Sequence, residues 1–215
     1  MVNRTNKKNA GFTLLELLVA MAMLAILAGV AAPSFSSYLR TNGIFSHRQD
    51  INSAMMVART EAVNRNRTMT ICSSATGTDC SGDWESGWIV FQDDGTGSGG
   101  VARDGIHNGD EEIINAYVYQ GSNQIAVTNA DDNSAIDFLS FNEQGRSAIN
   151  GQQTNRRVLI TICDRENDES LARGLLLIGT GRLIRTRDND NDGVHESRFS
   201  DGDGNLAVDS SLSCS

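Results

Sequence analysis

Between Phe12 and Ala32 the chain carries 21 residues, FTLLELLVAMAMLAILAGVAA, whose single charge is Glu16. At 1.5 Å per residue a helix of that length crosses a hydrocarbon core of roughly 30 Å. The run therefore predicts a membrane span. Arg4, Lys7 and Lys8 precede it and the next basic residue is Arg40. That bias places the first eleven residues on the cytoplasmic side and everything beyond Pro33 outside. A secretory signal would have an apolar region of about 7–15 residues with a small-residue cut site behind it. Here the small residue at a cutting position, Gly11, stands in front of the apolar run.

Lys7, Lys8, Gly11, Phe12, Thr13, Leu14 and Glu16, with Pro33 about twenty residues on, resemble the class III signal of type IV pilins and type II secretion pseudopilins. The resemblance implies that a prepilin peptidase cuts between Gly11 and Phe12 and methylates the new amino terminus at Phe12. It also implies that Glu16 pairs with the terminal ammonium of a neighbouring subunit and that Pro33 kinks the first helix. The physics of Glu16 agrees, because an ionised carboxylate in hydrocarbon costs at least about 2.5 kcal/mol and needs a partner.

Beyond Pro33 the helix resumes. Phe35, Leu39, Ile51, Met55, Ala58 and Ala62 follow helical spacing, with Arg40, Arg48, Arg59 and Arg65 pointing outward and Asn42-Gly43 a candidate interruption. The helix ends near Asn64 to Arg67, and seven β-type runs follow, from TMTICSS at Thr68 to RGLLLIGTGRLIRTR, separated by Gly, Asn and Asp clusters. One long helix followed by about seven strands is an α+β order. AMMVARTEAVNRNRTMTIC, Cys80, Trp84 and Trp88, FNEQGR at 141–146, and ITICD leading to GLLLIGTGR are similar to the GspH/FimT group of minor pilins and pseudopilins. The resemblance implies a pilin-like fold, an anchored helix packed on a β-rich head. It divides the chain into a leader (1–11), a transmembrane segment (12–33), an amphipathic half-helix (34–67) and a periplasmic head with an acidic tail (68–215).

Four cysteines, Cys72, Cys80, Cys163 and Cys214, all fall on the outer side, where disulfides persist. Three pairings are open. Cys72 with Cys80 closes a short hairpin, and Cys163 with Cys214 ties the tail to a strand. Neither a Cys-x-x-Cys nor a histidine cluster suggests a metal held by thiolates.

The tail segment Asp188, Asp190, Asp192, Gly193 and Glu196 matches the first half of a calcium loop, with oxygens at positions 1, 3 and 5 and glycine at 6. Position 12 is Phe199 rather than a bidentate glutamate, so Glu196, Asp201 or Asp203 would have to complete the set. Calcium is the candidate ligand; no cofactor is required. A second acidic patch, Asp93, Asp94, Asp104, Asp110, Glu111 and Glu112, is less regular.

Gly95, Gly97 and Gly100 satisfy G-x-G-x-x-G, but the text after them cannot begin a helix, and no lysine after Lys8 exists to make a phosphate loop. Removing Arg4, Lys7 and Lys8 leaves 15 arginines against 27 acids, a balance of −12 that opposes general nucleic-acid binding. The GspH/FimT resemblance nevertheless includes members that bind DNA through Gly-Arg-x-Arg. Here Gly181-Arg182-Leu183-Ile184-Arg185 departs from that spacing, leaving Arg182, Arg185 and Arg187 as the one basic run. His47, His107 and His195 are scattered, so no catalytic set emerges and an enzyme is not expected. The resemblance implies a subunit that primes or caps a pilus-like filament in the inner membrane. Its partners would be prepilin peptidase and other pilins or pseudopilins. A type II secretion pseudopilus tip and a DNA-uptake subunit are the alternatives.

Overall fold

The computed structural model describes residues 12–97, 100–108, 110–149, 152–153, 157–188, 191–196, 199–200, 206–207 and 211–214; for 30–34, 152–153, 199–200 and 206–207 this is the backbone alone. The chain divides into two compact units, one ending at Arg40 and one beginning at Thr41.

The first unit is the leading part of helix α1 (Leu14–Arg65). Its leucines and methionines, Leu14, Leu18, Met21 and Leu24 among them, are exposed on every side, as a helix apolar all round leaves them when nothing packs against it. Phe35 and Leu39, expected in a core stripe, are exposed as well. Among the described residues no helix is long and apolar enough to cross a membrane. The expected span from Phe12 to Ala32 runs into residues 30–34, whose side chains lie outside the described residues.

In the second unit α1 continues without a break at Asn42-Gly43. The helix stops at Arg65 because Asn66 turns left-handed (φ 53°) and the Arg67 amide reaches back to the Ala62 carbonyl. Ile44, Ile51, Met55, Ala58 and Ala62 form its buried stripe.

That stripe faces two antiparallel sheets. The strands are β1 (Met69–Ser73), β2 (Gly87–Gln92), β3 (Ile113–Val118), β4 (Gln124–Asn129), β5 (Phe138–Phe141), β6 (Ser147–Ile149), β7 (Gln152–Gln153), β8 (Val158–Cys163), β9 (Arg173–Leu177), β10 (Leu183–Arg185), β11 (Phe199–Ser200) and β12 (Leu206–Ala207). One sheet has the order β3-β2-β1-β5-β6-β7 and the other β10-β9-β8-β4, while β11 and β12 pair alone. Trp88, Val90, Leu139 and Phe141 from the first sheet and Ile160, Ile162, Leu175 and Leu177 from the second share one core with the helix stripe.

The outer faces are covered too. Ile89 and Phe91 pack with Cys72, Phe138 and Ile113, while Leu159, Cys163 and Ala172 pack with Leu212. This explains why β2 and β8 read as continuous apolar runs rather than alternating ones.

The architecture is the α+β, pilin-like one expected, with one difference of topology. The long run from Arg173 to Arg187 is a hairpin, β9 and β10, folded at Gly181. Gly181 has φ 77°, and a Cβ there would stand 2.0 Å from the Gly145 carbonyl oxygen, so only glycine fits. Arg59, expected to point outward, donates from Nε to that same Gly145 carbonyl (3.0 Å) and from Nη2 to Thr180 (3.3 Å). The helix and the two glycine turns are thereby joined at one point.

Candidate functional site

At the amino end the peptide expected to be cut involves Gly11, which lies outside the described residues. Phe12 is exposed, and Thr13 and Glu16 close the first turn reciprocally. Glu16 Oε2 accepts from the Thr13 amide and hydroxyl, and Thr13 Oγ1 accepts from the Glu16 amide, each at 3.2 Å. This is a capping box, which satisfies amides that the helix itself leaves unpaired. Pro33 lies within α1, and its side chain is outside the described residues.

The structure joins Cys72 to Cys80 and Cys163 to Cys214, the two pairings favoured from the sequence. Cys72 is on β1 and Cys163 ends β8, so each bond staples a following segment to the outer face of a different sheet.

The tail loop is anchored at its base, where Arg187 and Glu196 exchange backbone hydrogen bonds of 3.3 and 2.8 Å. Asp188 accepts from the amides of Asn191 (2.7 Å) and Gly193 (3.1 Å), and Asp192 accepts from Val194 (2.7 Å). Asn191 (φ 63°) and Gly193 (φ 93°) supply the left-handed positions that turn the chain. One carboxylate oxygen from each of Asp188, Asp192 and Glu196 falls within 4.8 Å of the others, and Glu196 is only 3% exposed. Calcium–oxygen distances of about 2.3–2.6 Å allow ligand oxygens up to roughly 5 Å apart, so the spacing fits one ion. Asp190, Asp201 and Asp203 lie outside the described residues.

The second acidic patch is organised differently. Asp93 is buried and accepts from the Thr70 hydroxyl (2.7 Å) and the amides of Arg103 (2.5 Å) and Gly105 (3.1 Å). Burial raises its carboxyl above the ordinary range, against the pull of those bonds. Glu111 accepts from the amides of Gly95 (2.9 Å) and Asn108 (3.0 Å). These carboxylates close loops over the outer face of β2. Glu111 also puts a negative group on the glycine run where a nucleotide site would need to receive phosphate, and the next element after that run is β3 rather than a helix.

Of the basic run, Arg182 is exposed in the turn before β10, Arg185 ends β10 with Nη2 donating to Gln49 Oε1 (3.2 Å), and Arg187 starts the tail loop. The three do not form one continuous face: Arg185 is turned toward the helix. Sequence reading missed two neighbours. Arg48, expected to point outward, is 6% exposed and lies on the helix stripe between Ile44 and Ile51, and Arg173 opens β9. The available signal was spacing, since 44, 48, 51 and 55 share one helical face. The histidines do not converge: His47 is buried, His107 contacts the Glu111 carbonyl, and His195 contacts the Thr186 carbonyl.

The family of the type II transport protein GspH matches residues 47–181, and the prokaryotic N-terminal methylation motif matches residues 6–32. No match is found among curated protein sequences. The structure is similar to the type IV minor pilin FimU of Pseudomonas aeruginosa in one crystal form, at 19% identity and a TM-score of 0.47, over 67% of this chain and 88% of that one. A second crystal form of FimU gives 18% identity and a TM-score of 0.42, over 65% and 90%. The matched stretch takes in the helix stripe from Ile51 to Ala62, every strand of both sheets except β10, and the Gly145–Gly181 turn contact, and the methylation motif precedes it in the same chain: this protein belongs to the GspH family.

Proposed function

We propose that the protein is a minor subunit that primes or caps a type IV pilus-like filament. In this reading it is cut between Gly11 and Phe12, methylated at Phe12 and held in the inner membrane as a single span through residues 12–33, with its head in the periplasm. The observation that carries the reading is the leading part of α1, apolar on all sides and lying largely within the methylation motif. Such a helix is stable only in lipid or among other helices, and a filament core offers the second after the membrane has offered the first. The disulfides suit a periplasmic head. The work of the molecule is assembly, and its partners are prepilin peptidase and other pilin or pseudopilin subunits.

The match to a family of type II transport proteins favours a second reading: the tip of a secretion pseudopilus. A deletion strain assayed for surface pili and for exported proteins tests both. Loss of pili with secretion intact supports the first, the reverse supports the second, and neither defect rejects both. A DNA-uptake subunit would require salt-dependent retention of the protein on DNA, and no retention at low salt removes that alternative.

A candidate calcium site at Asp188, Asp192 and Glu196 fits within this function as a clamp on the tail. It would neutralise carboxylates that otherwise repel one another.

A further inference from the structure

The inner face of the second sheet changes character at one end. Leu175 and Leu177 of β9, Ile162 of β8 and Leu183 of β10 pack against the helix. In register, Leu183 pairs with Leu177 and Arg185 with Leu175, while Ile162 pairs with Arg173. Cross-strand partners share a face, and so do residues two apart on one strand. Arg173 and Arg185 therefore continue the inward-facing rows after the leucines stop.

Opposite them the helix stripe is interrupted by Arg48. It is 6% exposed, its guanidinium lies 5.1 Å from the centre of the Phe45 ring, and its Nε has no hydrogen-bond partner. Arg185 bonds the adjacent Gln49, while Arg173 Nη1 is spent on the carbonyls of Ser170 (3.1 Å) and Ala172 (2.7 Å).

Arg48 thus carries a charge where a core would ordinarily be apolar, and the half-buried Arg173 and exposed Arg185 are near enough to act on it. Among the described residues none of them forms an ion pair with a carboxylate. Burial, then Arg185, then Arg173 pull Arg48 below its ordinary value; burial lowers Arg173, with Asp188 acting against it. Burial and then Arg173 also lower His195, which favours its neutral ring and adds no counter-charge. A buried charge without a counter-ion costs several kcal/mol, and an orphaned buried donor adds to that cost.

We propose that Arg48, Arg173 and Arg185 form a binding site for a small oxyanion, entered past the exposed Arg185 and floored by Arg48. Guanidinium groups present paired N–H donors that match phosphate and carboxylate oxygens, which a chloride ion cannot exploit. Of the charges acting on Arg48 and Arg173, Asp188 is the one acid among the described residues, and it forms no ion pair with either, so positive charge remains for the ligand. The oxyanion is either a free ion such as phosphate or the carboxylate of an acidic side chain on a neighbouring subunit.

The test is thermal melting of the full-length protein in detergent micelles with inorganic phosphate, with acetate, and with chloride at matched ionic strength. A midpoint raised by millimolar phosphate and not by acetate identifies a free dianion as ligand. Similar responses to both identify a carboxylate. In either case Arg185→Gln and Arg173→Gln should each weaken the response by about tenfold, as expected when a charge-assisted hydrogen bond is lost. Arg48→Met should melt higher than the parent without added anion and lose the response. A chloride response as large as those to phosphate and acetate, or responses unchanged in both Arg→Gln variants, overturns the proposal.

Discussion

Glu16 turns back on Thr13: its Oε2 accepts from the Thr13 amide and from the Thr13 hydroxyl, both at 3.2 Å. In a single chain the carboxylate therefore caps its own helix. In the proposed filament the same oxygen lies one residue from the amine that cleavage would free at Phe12, and an adjacent subunit's amine competes for it. Glu16→Ala should leave cleavage intact but sharply reduce the amount of subunit recovered in sheared filaments relative to membranes. Glu16→Gln separates the two roles, because it retains an oxygen that can cap while losing the charge. Assembly at the parental level by Glu16→Gln would mean that capping suffices and that pairing with a terminal amine is wrong.

The two disulfides close loops of different length, with separations of 8 and 51 residues. If they act by restricting the unfolded chain, removing the longer one costs about 4 kcal/mol and the shorter about 2.5 kcal/mol. Urea unfolding of Cys163→Ser/Cys214→Ser and Cys72→Ser/Cys80→Ser measures both. A larger loss for the shorter loop would show that packing of Cys72 against Ile89 and Phe91 outweighs loop closure.

Calcium should stabilise the tail. With the affinity usual for extracellular sites, about 10⁻⁴–10⁻³ M, 10 mM calcium adds about 1.4–2.7 kcal/mol, a few degrees in melting midpoint. Magnesium, which demands tighter octahedral geometry, should add less. Asp192→Asn should remove the difference between calcium and chelator, and equal midpoints for the parent protein with calcium and with chelator would reject the site.

Much of this architecture could be read in advance because its signals are local. The apolar stripe Ile51, Met55, Ala58 and Ala62 declares its period, β1, β2, β4 and β8 stand out as short β-type runs between turn residues, and the cysteine spacing suggested both closures. The strands β6, β7, β11 and β12 did not, being two or three residues long and mostly polar or small. Arg48 was misplaced for a different reason. Sequence reading assigns charge to solvent because burial is costly; helical spacing put Arg48 on the stripe, but that Arg173 and Arg185 share the sheet face turned toward it follows only from their register across two strands. The outward assignment of Arg59 failed similarly, since the Gly145 and Thr180 carbonyls that hold it are remote in sequence.

His47 provides a pH test of the contact between helix and sheet. It is 1% exposed, stacked on Tyr119 with ring centroids 3.8 Å apart, and neither ring nitrogen bonds a protein group. Burial pulls its pKa down from 6.5 to about 4, against the attraction of Asp50. The unfolded chain therefore binds the proton more readily than the folded one. Stability from this residue is complete above about pH 6.5 and is lost as the pH falls toward 4, by about 3 kcal/mol in all. Asp93, whose carboxyl is raised by burial, acts in the opposite sense, so the comparison must be made against a variant. His47→Phe keeps a ring against Tyr119 and cannot titrate. Its unfolding free energy in urea should fall less than that of the parent between pH 7 and pH 4.5, and parallel pH profiles would exclude His47 as the titrating group.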